Sequence, residues 1–251
     1  MRKYLMLTMA LGALIAVSLA GVASAGNNTP VTAKAGNIEF TFNGGFSPTT
    51  LPKKKLAPIS LTASGSIKTI DGTHPPALKE AIVETDKNGT ISTKGIPVCK
   101  SGQLQARDTK AAEKVCGKSI IGTGQTTVEV QFPEQRPVLV NSKLLVLNGG
   151  TSGGKTTLFI HAYFSAPVTG AIVTTVKIKK IHNGRYGLQS VASIPKIANG
   201  AGSVKTFSLT INKKGVLMAK CPDGKLQAHA TSIFADGTKA SASIIRTCKG
   251  K

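Results

Sequence analysis

The chain of 251 residues has no tryptophan, three tyrosines, five arginines and four cysteines, and only 11 acidic residues stand against 32 basic ones. Each shortage closes off a class of function. Base recognition draws on exposed aromatic platforms and arginine forks, so a specific nucleic-acid partner is not expected. Cys99, Cys116, Cys221 and Cys248 include no C-x-x-C and have no histidine pair beside them, which argues against zinc and thiol-redox chemistry. No cofactor or metal is expected. After residue 25 no apolar run reaches spanning length, so no membrane-crossing helix is expected there.

What is present begins with residues 1–25. Arg2 and Lys3 precede an uncharged apolar stretch over 5–22 and then Ala23, Ser24 and Ala25, the three-part pattern of a secretory signal peptide. Cleavage leaves Gly26 first and directs the chain to the exterior or the cell surface. The mature chain carries 30 basic against 11 acidic residues, a net +19. A field of that sign attracts polyanions, so anionic cell-envelope polymers or lipid headgroups are the expected partner class. Lys53, Lys54 and Lys55, with Lys177, Lys179 and Lys180, are the candidate anion contacts; a merely solubilising surface is the alternative. Four cysteines in an exported chain point to two disulfides, for which three pairings exist. Cys99 with Cys116 and Cys221 with Cys248 is favoured, because each loop stays within one half of the chain and the second closes the open end of a hairpin.

Residues 26–36 (GNNTPVTAKAG) read as a flexible arm. From 37 to 251 apolar residues recur with a period near two, broken by Gly, Pro, Asn and Asp. Strands are expected over 38–42, 58–67, 78–86, 90–93, 119–132, 143–147, 156–164, 171–181, 187–193, 203–211, 216–219, 226–234 and 239–247. One short helix is expected over 109–115, capped by Asp108. The fold class is all-β: an antiparallel sandwich or barrel-like sheets, stapled by disulfides. Residues 99–106 (CKSGQLQA) echo 221–228 (CPDGKLQA), which raises the alternative of two similar β units divided near 133–142.

Several strings imitate catalytic motifs. Residues 149–156 (GGTSGGKT) match the phosphate-loop pattern, with Lys155 in the lysine position, but the following TLFIHAYF is β-branched and aromatic where a helix is required. A strand–glycine loop–strand is expected instead. Ser152 lies in a G-x-S-x-G string with Asp223 and His229 downstream in hydrolase order, yet no strand-to-helix elbow is readable. Among His74, His161, His182 and His229, His161 alternates with Phe159 and Tyr163 and reads as a packing histidine. Glu80, Glu84 and Asp86 are expected on one strand face, either solvated or as a weak cation site or glycosidase pair.

The chain resembles a group of exported actinobacterial proteins with a four-cysteine all-β framework and no assigned activity. The resemblance rests on 46–48 (FSP) with Leu51 and Pro52, Asp71 and Gly72 with Pro75 and Pro76, 94–99 (KGIPVC), 116–124 (CGKSIIGTG), 133–135 (PEQ), 147–149 (LNG), 161–163 (HAY), 234–237 (FADG) and 246–248 (RTC). It implies that Asn148, Gly149 and His161 belong to a shared framework, and it supplies no ligand or catalytic residue. The expectation is therefore a secreted, noncatalytic surface or binding protein, the alternatives being an envelope-directed hydrolase or a structural exoprotein.

Overall fold

The computed structural model describes residues 29–251; the signal-peptide assignment lies outside them. Runs of alternating burial build β1 (Val31–Ala35), β2 (Ile38–Ser47), β3 (Thr50–Leu51), β4 (Ala57–Thr69), β5 (Leu78–Asp86), β6 (Gly89–Ile91), α1 (Thr109–Cys116) and β7 (Ile120–Val130). The chain continues through β8 (Val138–Ser152), β9 (Lys155–Phe164), β10 (Gly170–Asn183), β11 (Tyr186–Ser193), β12 (Gly202–Ile211), β13 (Leu217–Ala219), β14 (Lys225–Phe234), β15 (Lys239–Thr247) and β16 (Lys249–Gly250). The all-β expectation holds, with α1 where the sequence put it and Asp108 accepting from Ala111 N at 2.7 Å.

Twelve strands form one antiparallel path, β1-β2-β4-β12-β7-β8-β9-β10-β11-β5-β14-β15, whose last member packs back on β1 and β2. The result is a nearly closed barrel. Its inner face is aliphatic, whereas Thr123, Gln125 and Thr127 of β7 and Thr206, Ser208 and Thr210 of β12 point away from the interior, the reverse of a lipid-facing barrel. Where β7 meets β12 the backbones leave no room for side chains at two positions: a Cβ at Gly122 would lie 2.2 Å from Thr210 O, and one at Gly124 2.1 Å from Ser208 O. Only glycine permits that approach.

Antiparallel pairing gives the barrel two rims. The first carries the β8–β9 and β10–β11 turns, the β2–β4 connection and the C-terminus of β15; the second carries the β1–β2 and β14–β15 turns and the loop between β7 and β8. Phe40, Phe42, Ile67 and Phe234 pack the interior toward the second rim. At the first, β6 leaves β5 through a tight turn and pairs with β13, which pairs with the start of β4. These two short strands bridge the rim. Residues 95–118 and α1 lie outside the barrel, covering Leu145, Leu147 and Phe159 on the outer face of β8 and β9.

Both favoured disulfides are present, Cys99–Cys116 and Cys221–Cys248. Two expectations about organisation need correction. The arm over 26–36 is a strand in its second half, because Val31 is buried in the core and β1 adds to the edge of β2. Nor do two units divide near 133–142, since β5 lies between β11 and β14 and β12 between β4 and β7. The echoed windows diverge too: the Cys99 segment turns through a 3-10 helix in the outer cover, whereas the Cys221 segment leads into β14.

Candidate functional site

Inside the barrel lies a cavity of about 390 Å³. Its wall is aliphatic, with Leu61, Val146, Ile160, Val176, Leu188 and Leu209 drawn from six strands. The alternation that makes each segment a strand also aims these side chains inward. Leu61, Ile160, Leu188, Leu209 and Ile211 remain only half-buried although they face the interior. Protein interiors are normally close-packed, with few voids larger than a water molecule, and uncovered apolar surface forgoes about 25 cal/mol per Å². A large apolar void inside a sheet is thus a ligand-site geometry.

Charged groups enter the cavity wall near the first rim. Arg246, on the inward face of β15, is 4% exposed. Its Nε donates to Gly44 O at 2.6 Å, Nη1 to Ile245 O at 3.1 Å, and Nη2 to Thr29 O at 3.0 Å and Asn43 Oδ1 at 2.7 Å. All four acceptors are neutral, and burial pushes the guanidinium pKa down. Arg185 is handled oppositely. It meets Asp86 Oδ2 at 2.6 Å and grips Asp223, and these carboxylates, Asp223 first, raise its pKa against the effect of burial. The same contact holds the Asp223 carboxyl below its ordinary range.

The sequence candidates separate in space. Lys53, Lys54 and Lys55 lie exposed on the β3–β4 connection, and Lys177, Lys179 and Lys180 lie exposed on β10, on opposite flanks of the first rim. The phosphate-loop string is the expected hairpin: Gly153 and Gly154 take positive φ in its turn, and Lys155 begins β9. Ser152 pairs across that turn, Asp223 is held by Arg185, and His229 bonds Ser243 Oγ at 2.7 Å, so the hydrolase string assembles no triad. The shared face of Glu80, Glu84 and Asp86 is also corrected. A register shift between Tyr186 and Leu188 opposite the end of β5 turns Asp86 inward, where it is 3% exposed and bound to Arg185, while Glu84 bonds Asn183 and Gln189. His161 is fully buried beneath the outer cover, its Nε2 2.9 Å from Arg107 O.

One constellation escaped the sequence reading. His74 Nδ1 lies 2.8 Å from Glu129 Oε1, and its Nε2 lies 3.1 Å from Ser203 Oγ. This is a serine–histidine–carboxylate order, assembled from positions 129 residues apart with no motif to announce it. Its surroundings are those of a clamp. Ser203 is 1% exposed, its hydroxyl donates to Pro75 O, Lys205 Nζ sits 3.2 Å from Glu129 Oε2, and none of the three main members lines the central cavity. Compared with family models, curated proteins and solved structures, the chain matches none, so the cavity and its charged wall are read from their own geometry.

Proposed function

We propose that this protein is an exported, noncatalytic binding protein whose barrel holds an apolar ligand and whose lysine-rich rim meets anionic envelope polymers or lipid headgroups. The observation that carries this reading is the aliphatic cavity of about 390 Å³, with inward leucines and isoleucines left half-buried. The volume falls at the lower part of the range for small-molecule sites, about 300–1,000 Å³, and the lining is of the kind such sites use. Two disulfides suit an oxidising, extracytoplasmic setting, and the signal-like segment supplies the route there.

The neutral fluorophore N-phenyl-1-naphthylamine tests the cavity. It is expected to bind saturably to the mature protein, and Ile160→Trp, which fills the lumen from β9, should weaken binding at least ten-fold with an unchanged circular dichroism spectrum. Equal binding by the wild type and Ile160→Trp would remove the cavity from the reading.

Ser203, His74 and Glu129 support a second reading, an envelope-directed hydrolase, because their hydrogen-bond order is that of an acyl-transfer triad. Burial of Ser203 and its bond to Pro75 O weigh against it. A fluorophosphonate probe is expected to leave Ser203 unlabelled; stoichiometric labelling, abolished by His74→Ala, would reverse the order of the two readings.

A further inference from the structure

Two arginines near the first rim, Arg185 in the β10–β11 turn and Arg246 in the cavity wall, are partnered in inverse order of need. Arg185, with 22% of its side chain exposed, has both Asp86 and Asp223. Arg246, 4% exposed and lining the cavity, has four neutral oxygens and, among the described residues, no carboxylate within ion-pair distance. The undescribed residues 1–28 contain no Asp or Glu that could supply one. A guanidinium has five N–H donors, so one N–H on Nη1 remains without an acceptor among the described residues. Buried charges are ordinarily paired, because neutral dipoles compensate a lost hydration shell only in part.

The surroundings have the same polarity. Lys53, Lys54, Lys55, Lys155, Lys179 and Lys180 surround the first rim, where Asp86 and Asp223 are consumed by Arg185 and Glu84, on the outer face of β5, is held by Asn183 and Gln189. Glu39, Asp71, Glu129, Glu134 and Asp236 belong to the second rim or its strand ends. The apolar lumen therefore has a cationic end, with a buried, unmatched charge in its wall.

We propose that the ligand is an anionic single-chain amphiphile of the fatty-acid type, its tail along the aliphatic wall and its acidic head at Arg246. This rests on the cavity being a ligand site. The remaining Nη1 N–H gives the head one charge-assisted hydrogen bond, and the ligand supplies the counter-charge that the chain does not.

The test displaces N-phenyl-1-naphthylamine with dodecanoate or with dodecanol, two ligands of one chain length and different heads. The wild type should prefer dodecanoate at least ten-fold, and Arg246→Gln should reduce the preference below about three-fold while still binding the neutral fluorophore. Equal displacement by acid and alcohol would overturn the head assignment and leave the cavity reading standing; failure of the fluorophore and both competitors to bind would overturn both. An undiminished preference in Arg246→Gln would also overturn it, moving the head to the rim lysines. Should Arg246→Gln not fold, carboxyl-labelled dodecanoate bound to the wild type decides by carbon-13 NMR. Its titration midpoint should drop below that of the free acid and stay there in about 1 M salt, since a buried pair is little screened; an undisplaced or salt-abolished shift would count against Arg246.

Discussion

At the scale of single residues, burial decides which polar groups are neutral and which are matched. His161 is enclosed by the outer cover, donates from Nε2 to Arg107 O, and has no partner for Nδ1 among the described residues. Desolvation lowers its pKa below the ordinary histidine value of about 6.5, opposed in part by the Arg107 carbonyl and Asp108. A histidine pKa depressed by folding means that the unfolded chain binds more protons in the window below about 6.5, so stability is complete above that value and declines as pH falls. The melting temperature should accordingly fall between about pH 7 and about pH 5, and His161→Gln should flatten that slope. Identical slopes in the two proteins would place the acid sensitivity elsewhere.

At the scale of elements, the two disulfides do different mechanical work. Cys99–Cys116 closes a separation of 17 residues and fastens only the outer cover. Cys221–Cys248 closes 27 and joins the entry of β14 to the exit of β15, the strand that carries Arg246. Loop-closure entropy makes the two nearly equal, about 3 kcal/mol each, so stability alone will not tell them apart. Their effects on the cavity should differ. Replacing Cys99 and Cys116 by serine should lower the melting temperature while leaving N-phenyl-1-naphthylamine affinity within about two-fold, whereas the same change at Cys221 and Cys248 should weaken both. Loss of fluorophore binding in the first variant would show that the cover supports the barrel wall from outside.

At the scale of the whole molecule, charge is distributed unequally between the rims. Attraction to an anionic surface should come from the first rim and be sensitive to salt, because exposed charges are screened beyond about 8 Å at physiological ionic strength. Vesicles of phosphatidylglycerol and phosphatidylcholine should bind the protein at low salt and release it as salt rises from about 50 to about 300 mM. Joint replacement of Lys177, Lys179 and Lys180 by serine should weaken binding several-fold. The same change at Lys34, Lys68 and Lys239, toward the second rim, should be nearly silent. Equal effects of the two triple variants would make the attraction a property of net charge alone.

The sequence by itself determined the class of fold, the position of α1 and the β8–β9 glycine hairpin, because period-two alternation, Asp108 as a cap and Gly153 with Gly154 are local signals; it favoured the two short-range disulfides among three pairings, and the structure shows them. It also determined that a cation-rich surface would exist. Only the tertiary structure decided that β5 and β12 interleave the halves, that residues of β1 leave the expected arm for the sheet edge, and that Asp86 turns inward to Arg185. It alone made a cavity, since Leu61, Ile160 and Leu209 alternate like any core residues and nothing local shows that the opposite wall stands too far away to fill the space between. Arg246 was visible beforehand only as part of the terminal 246–248 string. That no carboxylate among the described residues lies within ion-pair distance of it follows from which strands meet where the barrel nearly closes, and a side-chain contact across 202 residues of separation leaves no periodic trace in the chain.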